Sequence, residues 1–544
     1  MRTLLATALL SAGLFGQTAT AHVNDARSHG TLGDTLLSLD EAIQLVNEAI
    51  TVGQLSTAEQ ARIMGTGPIT AIALDAMVVP TITLEALLTS LDGPPAHTSV
   101  SLESHGPTKV VLVATGRDVG LHVRTNHAHV HGLTIRGGRV GVIAETVAHV
   151  HTGEELELMD VAFEGQTEVG LRVRSTSDMT PVMLMNATFT SLATGVVVDD
   201  RTTSTGVMLM ARHVQFRDVQ LGVDVFCDAY GASTMMQMYH AKMTSSAQFL
   251  RCRRTATSTQ RIMMMVVASD LETTGDAVDV QGNPVGETLF HHHHLDIRPG
   301  QGRRAAYFWP QDSRFDFHGS ENVIHGDIDL SAGRLNRRIW VWNSVFHNGT
   351  IAVSNTGTRP SLRWNRFENC TIRAVSTNST QLAMASSEFY GCTLDSQSAF
   401  GNIALENCWL DQTNTVGTVQ IANPAPSPWL SSASSSTETP TLGGHVDLTL
   451  DMPSGMAGVW HFGLEEPLPL LTEEPWRFYV QPPTLVPMPG VFVYYSTVRL
   501  QIPNVRALSR VNLYAQPAVV PFLGQAHVPM FNLPRGVYIS PRLP

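Results

Sequence analysis

The chain has 544 residues, a formal net charge of −12 and 43% hydrophobic residues. This length leaves room for two or three domains. The negative charge argues against a nucleic-acid partner, and no basic stripe offsets it. Five cysteines in so long a chain do not form a disulfide scaffold. After the N-terminal segment no stretch is long and apolar enough to predict a membrane span.

Residues 1–21, MRTLLATALLSAGLFGQTATA, combine Arg2, a short apolar core and a small-residue end. This pattern is typical of a secretory signal peptide with a cut after Ala21. A transmembrane helix would need about 20 apolar residues. The sequence therefore predicts an exported protein, either extracellular or held at the cell surface.

Residues 22–95 are interpreted as an N-terminal cap and the first coils of the domain that follows. The stretch SLDEAIQLVNEAI contains a capping box, Ser38 to Glu41, and an apolar stripe at Ile43, Val46 and Ile50. We expect a short helix here. It would cover the open end of the first coil, which otherwise exposes unpaired strand edges.

Residues 96–420 contain a repeat. Its anchor positions have spacings of 26, 27, 27, 28 and 26 residues, and they are Phe163, Phe189, Phe216, Met243, Leu271 and Ile297. A second column keeps the same period and consists of Gly170, Gly195, Gly222, Phe249 and Ala277. Each unit has short alternating apolar runs separated by polar or glycine turns, which indicates strands. A fixed period in the twenties predicts a solenoid.

This repeat resembles the right-handed parallel β-helix of the pectin-lyase-like superfamily. The resemblance extends upstream to GLHVRTNHAHVHGLTIRGGRVGV, whereas the leucine and asparagine pattern of leucine-rich repeats is missing. It implies an all-β solenoid. It leaves the function open, because such solenoids include lyases, hydrolases, epimerases and non-catalytic adhesins.

The four histidines of LFHHHHLDIRPG are assigned by counting back from the anchor Ile297. Position −3 is a polar turn column formed by Asp160, Asn186, His213, His240, Ala268 and His294. Position −5 is otherwise apolar, so we expect His292 to face the core. His291 and His293, at −6 and −4, should then face outward. Two imidazoles without a third ligand do not predict a metal site.

The stretch LDIRPGQGRRAAYFWPQDSRFDFHG is interpreted as a loop that breaks the repeat. Its arginines and aromatic rings suit acidic groups and sugar rings. The predicted ligand-binding residues are therefore His291, His293, Arg303, Arg304, Tyr307 and Trp309, bordering one groove. In the alternative, the aromatic side chains of the loop pack on the solenoid.

The outward columns next to the histidines are rich in methionine, namely Met159, Met183, Met185, Met210 and Met265. Such an apolar outer strip is normally covered by another element or used as a binding surface. Both interpretations remain open at this stage.

Another outward face carries alternating charges, of which the candidates are Asp199, Asp224, Arg251, Arg253 and Asp279. Ion pairs between neighbouring strands are the simplest interpretation. The resemblance to pectate-lyase-like enzymes implies an alternative, in which these carboxylates hold calcium and a base takes a proton from a uronate.

The later rungs NRFENCTI, SEFYGCTL and IALENCWL are expected to place Cys370, Cys392 and Cys408 in one inward column, a buried thiol ladder whose geometry permits one disulfide. Residues 421–441 form a Pro/Ser/Thr linker. Residues 442–544 have short alternating runs that predict an antiparallel β-sandwich. Within them, IPNVRALSRVNLYAQ resembles the small C-terminal β module of secreted planctomycete proteins.

These observations together predict a secreted protein that binds extracellular or cell-surface polysaccharide in a non-catalytic surface or adhesion role. The alternative is a polysaccharide lyase or glycoside hydrolase acting on an acidic glycan, with calcium as its cofactor. No complete catalytic set follows from the sequence.

Overall fold

The chain coils through three long β-sheets in turn. A computed structural model describes residues 18–424 apart from short gaps, and beyond them only strand segments between Ser432 and Tyr538. Every pair of neighbouring strands in the three sheets is parallel, except that Ile63–Met64 runs antiparallel to Ala19–Val23. The predicted all-β parallel coil is thus confirmed.

Sheet 1 has 17 described strands. They are Ala19–Val23, Ile63–Met64, Ile69–Asp75, Val100–His105, Ala128–His131, Leu156–Met159, Pro181–Met185, Met208–Arg212, Ser233–Tyr239, Arg261–Val267, Glu287–His293, Arg314–Ser320, Arg337–Trp342, Ser361–Arg363, Gln381–Ala385, Asn402–Glu406 and Val419–Ala422.

Sheet 2 has 14 described strands. They are Thr81–Thr83, Val110–Val113, Leu133–Arg136, Ala162–Glu164, Thr188–Thr190, Gln215–Arg217, Lys242–Ser246, Asp270–Thr273, Asp296–Arg298, Val323–His325, Val345–His347, Arg366–Glu368, Glu388–Tyr390 and Trp409–Asp411.

Sheet 3 has 13 described strands. They are Val119–Val123, Val140–Thr146, Val169–Ser175, Thr194–Asp200, Leu221–Cys227, Gln248–Arg254, Val278–Gln281, Arg304–Trp309, Asp327–Leu330, Thr350–Ser354, Thr371–Val375, Thr393–Ser396 and Asn414–Gly417.

The anchor column lies inside the coil, as its apolar character predicts. Phe163 pairs with Phe189, and Phe189 pairs with Phe216, in adjacent strands of sheet 2. Their rings stack with centroids 4.7 and 5.1 Å apart, and all three side chains are buried. The predicted register is therefore confirmed. It continues past Ile297 through Ile324, Phe346, Phe367, Phe389 and Leu410.

The phenylalanine stack explains the glycine column. A Cβ atom at Gly170 would lie 2.7 Å from Cδ1 of Phe189 and 2.9 Å from the carbonyl oxygen of Gly195. Both distances are shorter than ordinary van der Waals contact, so a larger residue needs the backbone to move. The column changes to Phe249 in the same coil in which the anchor column changes from Phe216 to Met243. The freed interior space takes the ring of Phe249, which packs edge-on against Phe216.

The column at position −3 forms the turn between sheets 1 and 2. All six of its residues, Asp160, Asn186, His213, His240, Ala268 and His294, have positive φ angles between 50° and 56°. Each backbone N–H donates to a carbonyl of the next coil, for example His240 to Val267. Asparagine, aspartate and histidine tolerate this left-handed conformation better than other residues with side chains. His294 is therefore the turn residue predicted from the sequence.

A buried polar column lies one residue further along the coil, two positions before the anchor. Asn322, Ser344, Asn365 and Ser387 are fully buried there. Side chains on one coil accept from backbone N–H groups on the preceding coil, as in Ser344 N to Asn365 Oδ1 at 2.9 Å. These bonds satisfy turn backbone that would otherwise be buried without a partner.

The predicted single cysteine column is wrong for Cys408. Cys370 and Cys392 each follow their anchor phenylalanine by three residues and are buried. Cys408 instead precedes its anchor, Leu410, by two residues and lies opposite Ser387. The sequence IALENC belongs to a strand of sheet 1, whereas NRFENC contains a strand of sheet 2, so their similarity hides a different register. None of the five cysteines, all of which lie in the described part of the chain, forms a disulfide.

The predicted N-terminal helix spans Leu39–Val46 and has the expected capping box between Ser38 and Glu41. Its apolar side packs beside Ala19–Val23 and Ile69–Asp75, the first strands of sheet 1. A 3-10 helix, Val52–Gln54, and a short helix, Thr57–Gln60, follow. None of the described helices has the length and hydropathy to cross a bilayer.

The C-terminal region contains antiparallel strand pairs. One set is Ser432–Ser435, His445–Asp451 and Thr497–Gln501, and the other is Met456–Gly463, Asn512–Pro521, Met530–Phe531 and Arg535–Tyr538. The antiparallel pairing agrees with the expectation for residues 442–544. The sandwich itself and most of the linker at 421–441 lie outside the described residues.

Candidate functional site

The outward charge ladder of sheet 3 exists in the predicted register. Val197 pairs with Asp224, Asp224 with Arg251, and Arg251 with Asp279, on consecutive strands. The neighbouring outward column places Asp199 beside Phe226, and Phe226 beside Arg253. Strand alternation alone puts these side chains on one face.

Asp224 is the centre of this ladder. Its carboxylate accepts from Nε and Nη2 of Arg251, at 3.2 and 2.7 Å, and from Nη2 of Arg253 at 2.6 Å. The hydrogen bonds to Asp224 raise the pKa of the Arg251 guanidinium further above its ordinary value. Asp224 is 5% exposed, so the two arginines replace the water that such a carboxylate would otherwise need.

A groove of about 500 Å³ lies over the N-terminal part of the ladder. Its charged lining consists of Glu168, Arg172, Asp199, Asp224 and Arg253, and its aromatic lining is Phe226. Asp199 is also 5% exposed and lies 3.7 Å from Nε of Arg174. The groove thus combines guanidinium groups, two nearly buried carboxylates and one aromatic ring.

Asp279 lies outside this groove, two strands away from Asp224. Burial raises the pKa of its carboxyl group, and its Oδ1 has no hydrogen-bond partner among the described residues. A carboxyl group of this kind can hold a proton at higher pH than an exposed aspartate.

The aspartates of the ladder do not form a calcium site. Asp224 is neutralised by two arginines, and Asp279 lies two strands further along. Within the described part of the chain, no three His, Cys, Asp or Glu side chains are grouped as a metal site requires. The calcium alternative has no support from these residues.

The interpretation of residues 295–319 as a loop is wrong. Arg304–Trp309 is a strand of sheet 3 in which Tyr307 lies opposite Asp279 and Trp309 opposite Gln281. Tyr307 therefore continues the charge ladder. The repeat could have shown this, because Ala305 follows Ala277 by 28 residues and so continues the glycine column by one more coil.

The guanidinium group of Arg304 is paired with a neighbouring carboxylate and is not available to a ligand. Its guanidinium donates to Oδ2 of Asp276 through Nε at 3.0 Å and Nη2 at 2.6 Å, and it stacks 3.9 Å from the centre of the Tyr307 ring. Burial alone would raise the pKa of Asp276, but hydrogen bonds from Arg304 outweigh it and lower that pKa. Arg303 is exposed and pairs with no carboxylate among the described residues. The side chain of Trp309 lies outside the described part.

The predicted burial of His292 is confirmed, and the predicted exposure of His293 is wrong. His292 is 1% exposed and His291 is partly exposed, as predicted. His293 points to the outer side of its strand but is only 3% exposed. Its Nδ1 lies 2.8 Å from Oγ of Ser320, and its ring packs against His318 on the adjacent strand. Strand alternation fixes the direction of a side chain, and neighbouring side chains decide its exposure.

His291 and His293 do not share a groove with the arginine–aromatic segment. The two histidines belong to sheet 1, whereas Arg304, Tyr307 and Trp309 belong to sheet 3. Successive strands of a parallel coil lie in different sheets, so the ten residues between His293 and Arg304 take the chain through a strand of sheet 2 to sheet 3. The predicted joint groove is therefore wrong. The structure instead brings Tyr307 together with the charge ladder.

The three parallel sheets and their inward columns define the chain as a parallel β-helix protein with a charged groove on one outer face. No family model matches the sequence, and no curated protein matches it. Among solved structures the chain is similar to a mutant tailspike protein of E. coli bacteriophage HK620 in complex with a hexasaccharide. The match has 12% sequence identity, covers 74% of this chain and 73% of that chain, and has a TM-score of 0.25. The assignment to the β-helix therefore rests on the strand pairing itself.

Proposed function

We propose that this β-helix binds an extracellular or cell-surface polysaccharide in the groove on the outer face of sheet 3. The observation that carries the proposal is the conjunction of Arg172, Arg253 and Phe226 with two nearly buried carboxylates in one groove of about 500 Å³. Guanidinium groups bind acidic substituents, carboxylates accept from sugar hydroxyls, and an aromatic face packs on a sugar ring.

A non-catalytic role fits the state of Asp224. Three hydrogen bonds from two arginines occupy its carboxylate. A general base needs a lone pair within reach of the substrate proton. Asp224 therefore fixes the position of Arg253 at the groove, which is a binding role. The protein would then act at a surface, as an adhesin does.

An enzyme acting on an acidic glycan is the second candidate. It is favoured by the presence of Asp199 and Asp224 in the same groove, because glycoside hydrolases use paired carboxylates. The carboxyl group whose pKa is raised by burial, as a proton donor requires, is instead that of Asp279. Asp279 lies outside the groove, so the enzyme is the weaker candidate.

We further propose that the protein is secreted. Supporting this is the N-terminal stretch with its apolar core, of which residues 1–17 lie outside the described part. The expected cut after Ala21 falls within the strand Ala19–Val23, whose residues pair with both neighbouring strands. N-terminal sequencing of the exported protein tests this, and a cut before Ala19 would leave the first strand whole.

The binding proposal is tested with a panel of acidic and neutral polysaccharides, using affinity electrophoresis followed by calorimetry. We expect Arg172→Ala to weaken binding of an acidic glycan by roughly 1.5–3 kcal/mol, the range for hydrogen bonds to charged groups. Phe226→Ala should weaken binding as well. Arg136→Ala is the matched control, because Arg136 pairs with Glu164 on the outer face of sheet 2. Equal losses in all three variants, or none, would refute the proposed groove.

Catalysis is tested on the glycans that bind. Incubation with the protein, with and without calcium, is followed by assays for new reducing ends and for unsaturated uronate products. Stable polymer length supports the non-catalytic role. Depolymerisation that Asp279→Asn abolishes while binding persists would establish the enzyme instead.

A further inference from the structure

The outer face of sheet 1 carries thioether side chains on consecutive coils. One outward column contains Met208, Met235 and Met263, which pair in register on neighbouring strands. The adjacent column contains Met265, which pairs with His291. These methionines are partly exposed, so solutes reach them.

The spacing allows several of these side chains to meet at one point. Met265 and His291 are directly opposite on neighbouring strands, which lie about 4.8 Å apart. Met263 and Met265 are two residues apart on one face of a strand, about 6.6 Å from each other. Methionine has three rotatable bonds beyond its backbone. Two sulfur atoms and one imidazole nitrogen can therefore converge above this part of the sheet.

The sulfur atoms of this face are available as electron-pair donors. Gln237, which pairs with Met265, donates from Nε2 to Sδ of Met235 at 3.1 Å. The thioether of Met235 thus already directs a lone pair across the outer face rather than into the core. Met263 lies directly opposite Met235 on the next strand.

His291 is suited to donate a nitrogen lone pair. Its ring nitrogens make no hydrogen bond with any described residue, and its ring lies edge-on to that of His318 with centroids 5.1 Å apart.

We propose that Met263, Met265 and His291 form a binding site for a soft monovalent metal ion of the Cu(I) class. Thioether sulfur is a soft ligand that favours Cu(I), and neutral imidazole also suits copper. Hard cations such as Ca²⁺ take about six to eight oxygen ligands, more than Gln237 and Asp316 provide beside Met265 and His291. His, Cys, Asp and Glu side chains alone form no metal site among the described residues, and the proposed site therefore depends on the two thioethers.

The test is an anaerobic competition between the full chain and a coloured Cu(I) chelator. We expect one Cu(I) per chain. The double variant Met263→Leu/Met265→Leu should bind at least about tenfold more weakly, because even losing a partner of a ligand costs 10–100-fold. Leucine conserves volume, so the melting temperature should change little. X-ray absorption of the loaded protein should show sulfur and nitrogen neighbours, and His291→Phe should remove the nitrogen contribution.

The matched control is Met183→Leu/Met210→Leu. These two methionines are also paired on the outer face of sheet 1, and their other partners across the strands are Glu157 and Gln237 rather than a histidine. The affinity of this control should equal that of the parent. The five buried thiols are monitored by a thiol reagent on the native protein before and after loading. Binding that is lost when thiols are blocked, or that both double variants weaken equally, would overturn the proposal, as would no binding.

Discussion

Gly319 lies directly opposite His292 on the adjacent strand of sheet 1, and a Cβ atom at Gly319 would overlap the imidazole ring. The same inward column holds Val266 before His292 and Val341 after Gly319. His292, which is larger than the valines of this column, and Gly319, which has no side chain, thus lie next to each other in the column. The interior accepts His292 because Gly319 supplies the space.

Gly319→Ala should therefore destabilise the protein by about 1–3 kcal/mol, the cost of overpacking a filled core. Denaturant unfolding measures this, and His292→Val in the same chain should recover most of the loss, since the two residues are coupled. Gly53→Ala is the control, because its Cβ would meet nothing closer than 3.9 Å. If the two glycine variants lose equal stability, the steric relationship is wrong.

Stability should fall as the pH drops below 6.5. Burial lowers the pKa of His292 from 6.5 to about 3, although a hydrogen bond with Asn322 acts in the opposite direction. The unfolded chain therefore takes up a proton near pH 6.5, while the folded chain resists it down to about pH 3. Each such histidine lowers the free energy of unfolding by up to about 1.4 kcal/mol for each pH unit that the pH falls within this window.

His292→Val provides the comparison for this pH dependence. We expect the variant to unfold with a shallower dependence on pH between neutrality and about pH 4, the pKa of His318. His318 and His293 would account for what remains. Parallel pH profiles for the parent and the variant would show that His292 does not contribute.

Ala268 lies in the left-handed turn column and has a φ of 50°. Alanine lacks the side-chain hydrogen bonds that help asparagine adopt this conformation. Ala268→Gly should therefore stabilise the protein by about 0.5–1 kcal/mol. The reciprocal change, Asn186→Ala at the equivalent turn, should destabilise it by a similar amount, and thermal unfolding distinguishes the two directions.

Phe189 is the middle ring of the first aromatic stack. Phe189→Ala should cost about 3–5 kcal/mol, because the side chain is fully buried between Phe163 and Phe216. Phe189→Leu should cost clearly less, since it leaves a smaller cavity. Equal losses would indicate that the stack does not depend on ring packing.

Much of the coil follows from its sequence because period and alternation are local properties. The spacing from Phe163 to Ile297 places every anchor on the correct strand, and position −3 identifies the turn. The same count continues to Ile324 and Ala305. Had it been carried one coil further, Tyr307 would have joined the charge ladder.

Two properties were harder to predict from the sequence. They are the exposure of individual side chains and the sheet to which a short segment belongs. His293 has the predicted direction, but Ser320 and His318 on the next strand cover it, and no local pattern encodes such cover. The IALENC and NRFENC segments look alike although they belong to different sheets. The groove depends on side chains from several coils, so it follows from register and side-chain packing together.

The turn column also determines how the coil resists a pulling force. Each turn N–H, such as that of Asn186, donates to a carbonyl on the next coil, so these bonds point along the long axis of the solenoid. Tension between its two ends would load one layer of bonds at a time rather than shear many together. Each released coil, of 26–28 residues as far as Ile324 and 21–22 beyond it, would lengthen the chain by roughly 70–90 Å. A single molecule stretched from its ends would then extend in steps of two sizes.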